Sequence, residues 1–248
     1  MKLRLALAQI NPTVGDLAGN AALIKQSVDQ AVGAGAHIAI FPEMVLTGYP
    51  VEDLALRPSF QVASKSALSA LASELDKKIV SIVGYLDQVD GKPQNMVAVI
   101  AGGEIKARYA KCHLPNYGVF DEFRNFVAGD STLVVRIHGV DVGIAICEDL
   151  WIDGGITSQL AARNPGLVIV PNGSPYERNK DDIRLSLVTG RARQAGAPRP
   201  RAPLRSSAGT KRRASSATRE MVGNISGINA SDPAQPAYEV KPLTINIE

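Results

Sequence analysis

Three short apolar runs in this chain each lead to a side chain able to carry chemistry, and this restricts the fold more than any other feature. HIAIF (37–41) leads to Glu43, EIKARYA (104–110) to Lys111, and VGIAIC (142–147) ends on Cys147. Short runs rich in β-branched residues and bounded by turns read as strands. Rigid strands opening into loops at one end are how layered α/β proteins hold a site. The flanking segments fit. LRLALAQI (3–10) alternates like a half-buried strand, and residues 20–32 carry apolar groups at helical spacing, with Asn20 as N-cap and Gly33 as stop. Residues 59–75 read as a second helix and 79–85 as a third strand. Two hairpins follow, 96–100 with 104–110 and 132–138 with 142–147, then a short helix (156–163), a buried strand (167–170) and an amphipathic helix (177–195). Crossovers mixed with hairpins predict an α/β protein with mixed sheets.

Composition narrows the class. With 45% apolar and 21% charged residues the chain can bury a core. It has no apolar run of about 18 residues, so no membrane span is expected. The first residues lack the apolar core and cleavage site of a signal peptide, which predicts a cytoplasmic protein. Two cysteines, Cys112 and Cys147, supply neither a disulfide framework nor a four-thiolate zinc site, and no metal site is expected. The net charge of +3 comes from one segment: residues 195–219 hold seven basic residues and no acidic one, so the remainder is net acidic. Nucleic acid is therefore not an expected partner.

The character changes near residue 197. Leu204 is the only large apolar residue in 198–220, among Pro, Arg, Ser, Ala, Gly, Lys and Thr. Such a segment builds no core strand, and 221–248 shows no clear period. Residues 1–197 are thus expected to form the folded domain and 198–248 a basic, low-complexity, disordered tail. An abrupt shift of this kind is what a GC-rich gene yields when read in a shifted frame. A fold ending there leaves a sheet edge unpaired, which predicts a marginal domain.

The three strand-end residues suffice together for acyl transfer from an amide. A thiolate attacks the carbonyl carbon, and a carboxylate takes the thiol proton and later serves the leaving group and water. A lysine favours the thiolate and stabilises the anionic intermediate. Read singly, each has an ordinary role: Cys147 as a small core residue, Glu43 as a loop carboxylate, Lys111 as a solvated charge. Cys112 reads as structural. The three histidines, His37, His113 and His138, stand in no context suggesting a Cys–His enzyme.

The surrounding words decide between these readings. FPEMVLTGYP (41–50), KCHLPNYGVFDEFRNF (111–126), CEDLW (147–151) and PNGSPYERNKDDIR (171–184) occur in this order. Over residues 1–195 the chain resembles the nitrilase-like carbon–nitrogen hydrolase superfamily, and within it the glutaminase domains of glutamine-dependent NAD synthetases. The resemblance implies an α-β-β-α sandwich, with Glu43 as general base, Lys111 as catalytic lysine and Cys147 as the nucleophile that forms a thioester. It implies that Tyr117, Ser174 and Lys180 hold L-glutamine and that Glu122 is a further carboxylate near the site. The backbone N–H of Glu148 is a further donor expected to join Lys111 at the oxyanion. Taken alone, NGSP is a turn and Lys180 a helix-surface charge. The implied assembly is a homo-oligomer, and the glutaminase reaction needs no cofactor.

Two departures stand beside the resemblance. Such enzymes continue into an ATP- and magnesium-dependent synthetase domain with an SGGxDS-type loop, and that motif is absent here. Residues after 197 also do not continue the family pattern. Two other readings remain open: a free-standing amidase acting on another small amide or nitrile, and a non-catalytic remnant whose basic tail binds acidic partners.

Overall fold

Along strand β1 (Lys2–Ile10) alternate side chains enter two different cores: Leu3 and Leu5 face one, Ala6, Ala8 and Ile10 the other. A strand buried on both faces lies inside a layered protein. The computed structural model describes residues 2–174, 186–192, 220–225 and 238–246, and shows four layers. A six-stranded sheet has the order β10-β1-β2-β3-β4-β5, and a four-stranded sheet the order β6-β7-β8-β9. The first comprises β1, β2 (Ile38–Ile40), β3 (Val80–Val89), β4 (Lys92–Ala101), β5 (Glu104–Ala110) and β10 (Tyr238–Asn246); the second comprises β6 (Leu133–Ile137), β7 (Val140–Ile144), β8 (Leu167–Pro171) and β9 (Glu220–Ile225).

Between the sheets lies one core, where Leu3, Leu5, Ile38, Ile40 and Val97 meet Val142, Ile144 and Ile169. On the outer face of the larger sheet, α1 (Leu17–Gly33) and α2 (Pro58–Glu74) bury Ile24, Val28, Leu68 and Leu71 against Ala6, Ala39, Val83 and Ala98. Leu160 of α4 (Ile156–Ala162) and Leu187 of the helical stretch 186–192 pack with the residues of the smaller sheet. This is the expected α-β-β-α sandwich. No described helix is long and apolar enough to cross a membrane.

Strand direction gathers the site. β2 runs parallel to β1 and β3; β4 reverses and β5 reverses again, so β2 and β5 end at the same edge. In the other sheet β7 and β8 are parallel and also end together. The segments that follow these four strands carry Glu43, Lys111, Cys147 and Asn172–Ser174.

Several expectations are corrected. Helix α1 begins three residues early, because Asp16 rather than Asn20 caps it: the Asp16 carboxylate accepts from Gly19 N at 2.9 Å. Asn20 is buried and instead bonds to Thr13 and Leu46. Strand β3 runs on past residue 85, and Asp90-Gly91, both at positive φ, turn it directly into β4. That dipeptide is a standard hairpin signal, masked here by the polar residues around it.

The disordered tail is corrected at 220–225 and 238–246, which form β9 and β10; the rest of 198–248 lies outside the described residues. β9 pairs parallel with β8, and β10 antiparallel with β1, so the edge expected to lie open is covered. Each takes an edge position, which needs backbone groups toward one neighbour and no apolar period. Pro242 is tolerated in β10 for the same reason. Of the predicted helix 177–195, residues 186–192 are helical and the others lie outside the described residues.

Candidate active site

Gly84 lets the first catalytic segment approach. A Cβ there would lie 2.3 Å from Met44 N and 2.7 Å from Pro42 O, so only glycine allows the loop after β2 to cross β3 at this depth. Leu46 N donates to Gly84 O at 3.0 Å, and Met44 takes a φ of 50°. The loop thereby turns Glu43 inward, between the sheets.

Lys111 follows β5 and stays in register with β4, its N–H donating to Asn95 O at 2.9 Å. Its ammonium is buried between two carboxylates. Nζ donates to Glu43 Oε1 at 2.7 Å and lies 2.8 Å from Glu122 Oε2. Glu122 opens the single-turn helix α3 (Glu122–Asn125), and the Tyr49 hydroxyl donates to its Oε1 at 2.9 Å. Glu43 Oε1 also accepts from Asn95 Nδ2 at 2.8 Å, and Oε2 from Gly173 N at 2.9 Å. Each of Glu43, Lys111, Glu122 and Cys147 is at most 3% exposed.

The expected strand 142–147 ends at Ile144, and after Ala145 and Ile146 the residue Cys147 opens a 3₁₀ turn, Cys147–Leu150, with a φ of 42°. A non-glycine residue in this region carries backbone strain, a feature that clusters at functional sites. Asp149 holds the turn. Its Oδ2 accepts from Tyr109 OH at 2.7 Å and Ile146 N at 2.9 Å, and its Oδ1 from Cys112 N at 3.1 Å and His113 N at 2.8 Å. The Cys147 thiol contacts Asn172 Oδ1 at 3.2 Å and Ser174 Oγ at 3.3 Å.

The charges explain the resting protonation. Burial alone would depress the Lys111 ammonium, but the Glu43, Cys147 and Glu122 charges outweigh it and raise its pKa. Burial, reinforced by the Glu43 charge, pushes Glu122 up to about 7 against the pull of Lys111. Burial and then the Glu43 charge push the Cys147 thiol up, while Lys111 and the Ser174 hydroxyl pull it down. A thiolate would be a third anion beside one cation. These charges favour the thiol over the thiolate in the free site.

At the rim, the half-exposed Tyr117 donates its hydroxyl to Glu148 Oε2 at 2.9 Å. Burial raises the pKa of Glu148, and this hydrogen bond opposes it. The structure brings Glu43, Lys111, Cys147, Glu122 and Ser174 together, with Tyr117 and Glu148 paired beside them. Lys180 lies outside the described residues. Sequence reasoning passed over Asn95, Tyr49, Asp149 and Asn172. Tyr49, Asp149 and Asn172 stood inside the words FPEMVLTGYP, CEDLW and PNGSP, which was the available signal; Asn95 had none. Among the described residues, no group of three or more His, Cys, Asp or Glu side chains is arranged to hold a metal ion.

The chain is similar to known proteins in sequence and fold. The carbon-nitrogen hydrolase family model matches residues 4–202. The glutamine-dependent NAD(+) synthetase of Xylella fastidiosa strain Temecula1 is 41% identical over 201 residues, covering 79% of this chain and 36% of that protein. That of Aquifex aeolicus is 38% identical over 190 residues, covering 77% and 33%. The chain thus spans about a third of the length of these curated relatives. Among solved structures, the glutamine-dependent NAD+ synthetase from Acinetobacter baumannii, in complex with ADP, superposes with a TM-score of 0.75 at 37% identity, covering 79% of this chain and 37% of that one. A mutant of the amidase from Nesterenkonia sp. AN1, at 24% identity and a TM-score of 0.68, shares the fold over 78% of this chain and 75% of its own.

Proposed function

The chain belongs to the carbon–nitrogen hydrolase family, and from that premise we propose that it hydrolyses the side-chain amide of L-glutamine to glutamate and ammonia. The observation that carries this reading is the buried Glu43–Lys111 pair (2.7 Å) beside the thiol of Cys147. Glu43 takes the thiol proton, and the thiolate attacks the amide carbon. The oxyanion that forms is stabilised by the Lys111 ammonium and the backbone N–H of Glu148. Glu43 returns the proton to the leaving nitrogen, and ammonia departs from a glutamyl thioester. Glu43 then deprotonates a water that attacks the thioester; the C–S bond breaks, glutamate leaves, and Glu43 returns the proton to sulfur.

Glutamine presents an ammonium and a carboxylate at its far end. The Glu148 carboxylate and Tyr117 hydroxyl suit the polar groups of the substrate, Ser174 orients the amide end, and Lys180 is assigned the α-carboxylate. The identity to glutamine-dependent NAD synthetases supports glutamine as donor and NAD synthesis as the destination of the ammonia. The ATP- and magnesium-dependent step would belong to a separate synthetase domain.

Glutamate release by the purified chain tests the reading, with asparagine and simple aliphatic amides run in parallel. Glutamine should be the best substrate, and Cys147→Ser should abolish turnover. Faster hydrolysis of an aliphatic amide would instead make the chain an amidase of the same family. Retained turnover in Cys147→Ser would remove the nucleophile assignment.

A further inference from the structure

The sulfur of Cys147 is hydrogen-bonded to groups other than its general base. Its hydrogen-bond partners among the described residues are Asn172 and Ser174, from the turn that follows β8. The Asn172 amide is oriented by the chain: Ser174 N donates to Oδ1 at 2.8 Å, so the carbonyl oxygen, not the NH2, occupies that position. This same oxygen lies 3.2 Å from Sγ. A carbonyl oxygen only accepts, so the contact is favourable with a proton on sulfur and repulsive once sulfur is an anion. The Glu43 oxygens are meanwhile engaged by Lys111, Asn95 and Gly173 N. Ser174 Oγ, at 3.3 Å, is a hydroxyl and can turn its proton toward sulfur in either state.

We propose that Asn172 is a latch on the nucleophile: its side-chain carbonyl holds the Cys147 thiol proton in the free enzyme, and sulfur must swing off Asn172 toward Glu43 before it ionises. In that step the S–H bond breaks, an O–H bond forms on Glu43, and the freed electron pair on sulfur attacks the amide carbon. Asn172 and Ser174, two residues apart, then act oppositely. The first favours the thiol and the second the thiolate. Without substrate to displace the sulfur, the latch keeps Cys147 poorly reactive toward adventitious electrophiles. This rests on Cys147 being the nucleophile, not on glutamine being the substrate.

The test is the rate of iodoacetamide alkylation of Cys147 between about pH 6 and pH 10, in a Cys112→Ser background, followed by intact mass with thermal melting of every variant. Loss of one hydrogen bond predicts alkylation about three- to tenfold faster at neutral pH in Asn172→Ala, with its rate–pH midpoint moved down. Asn172→Asp keeps the acceptor for Ser174 N but places a carboxylate on sulfur, so its midpoint should move up. Ser174→Ala should also move up. A folded Asn172→Ala with the wild-type midpoint would overturn the latch. So would an unmoved Asn172→Asp, which decides the matter if the alanine variant fails to fold. Should these shifts appear in a chain that releases no glutamate from glutamine, the latch stands and the substrate assignment fails.

Discussion

The Tyr109 hydroxyl donates to Asp149 Oδ2 at 2.7 Å, joining the end of strand β5 to the turn that opens on Cys147. Through Cys112 N and His113 N the same carboxylate grips the chain just beyond Lys111. Nucleophile and lysine come from different sheets, and Asp149 is the side chain that spaces them.

Replacing Asp149 by alanine strands four donors, of which the two buried ones, Tyr109 OH and Ile146 N, cost about 1–3 kcal/mol each when left unpaired, before local relaxation, and the two part-buried ones, Cys112 N and His113 N, cost less. Because the residue holds the reacting groups without touching them, kcat should fall at nearly constant KM, alongside a lower urea midpoint. Unchanged kcat in a destabilised Asp149→Ala would remove its positioning role.

Lys111→Met leaves Glu43 and Glu122 facing each other without their cation. Breaking a buried pair in this way costs about 3–5 kcal/mol, so the urea midpoint should drop sharply and turnover vanish. A near-neutral effect on stability would mean that water reaches the carboxylates in solution.

Glu122 sets a pH dependence of stability. Its folded pKa, pushed up to about 7, lies above its ordinary value of 4.5, so the folded state binds more protons between these limits. This contribution is present at acid pH and is lost as pH rises from about 4.5 to about 7. Glu122→Gln imitates the protonated form at every pH. The melting temperature of wild type should therefore fall relative to the variant across this window and then run parallel. A difference that widens in the opposite direction would contradict the assigned shift.

Gly84→Ala forces a methyl group against the backbone of residues 42–44. Overpacking of this kind costs about 1–3 kcal/mol and should move Glu43 away from Lys111, lowering both melting temperature and kcat. Gly33, with nothing within 4 Å of an added Cβ, supplies the control: Gly33→Ala should leave both unchanged or slightly raise stability.

Much of the candidate site was legible because its words are local. Glu43, Lys111 and Cys147 each follow a strand whose apolar pattern is complete within a few residues. The same locality hid the β3–β4 hairpin, where polar residues near Asp90-Gly91 obscured the turn. β9 and β10 stayed hidden because an edge strand is selected by a neighbour's backbone, which leaves no periodic mark on its own side chains.

The sequence by itself determined the layered α/β class, the strand ends that bear chemistry and the family they resemble, since hydrophobic periodicity and motif spacing are short-range properties. Only the tertiary structure decided who touches whom. Lys111 is shared by carboxylates from positions 43 and 122, Asp149 reaches back to 109, 112 and 113, and Asn172 meets Cys147. A hydrogen bond holds only within a few tenths of an ångström and a narrow angle, and such closeness between distant segments is set by the packing of two sheets.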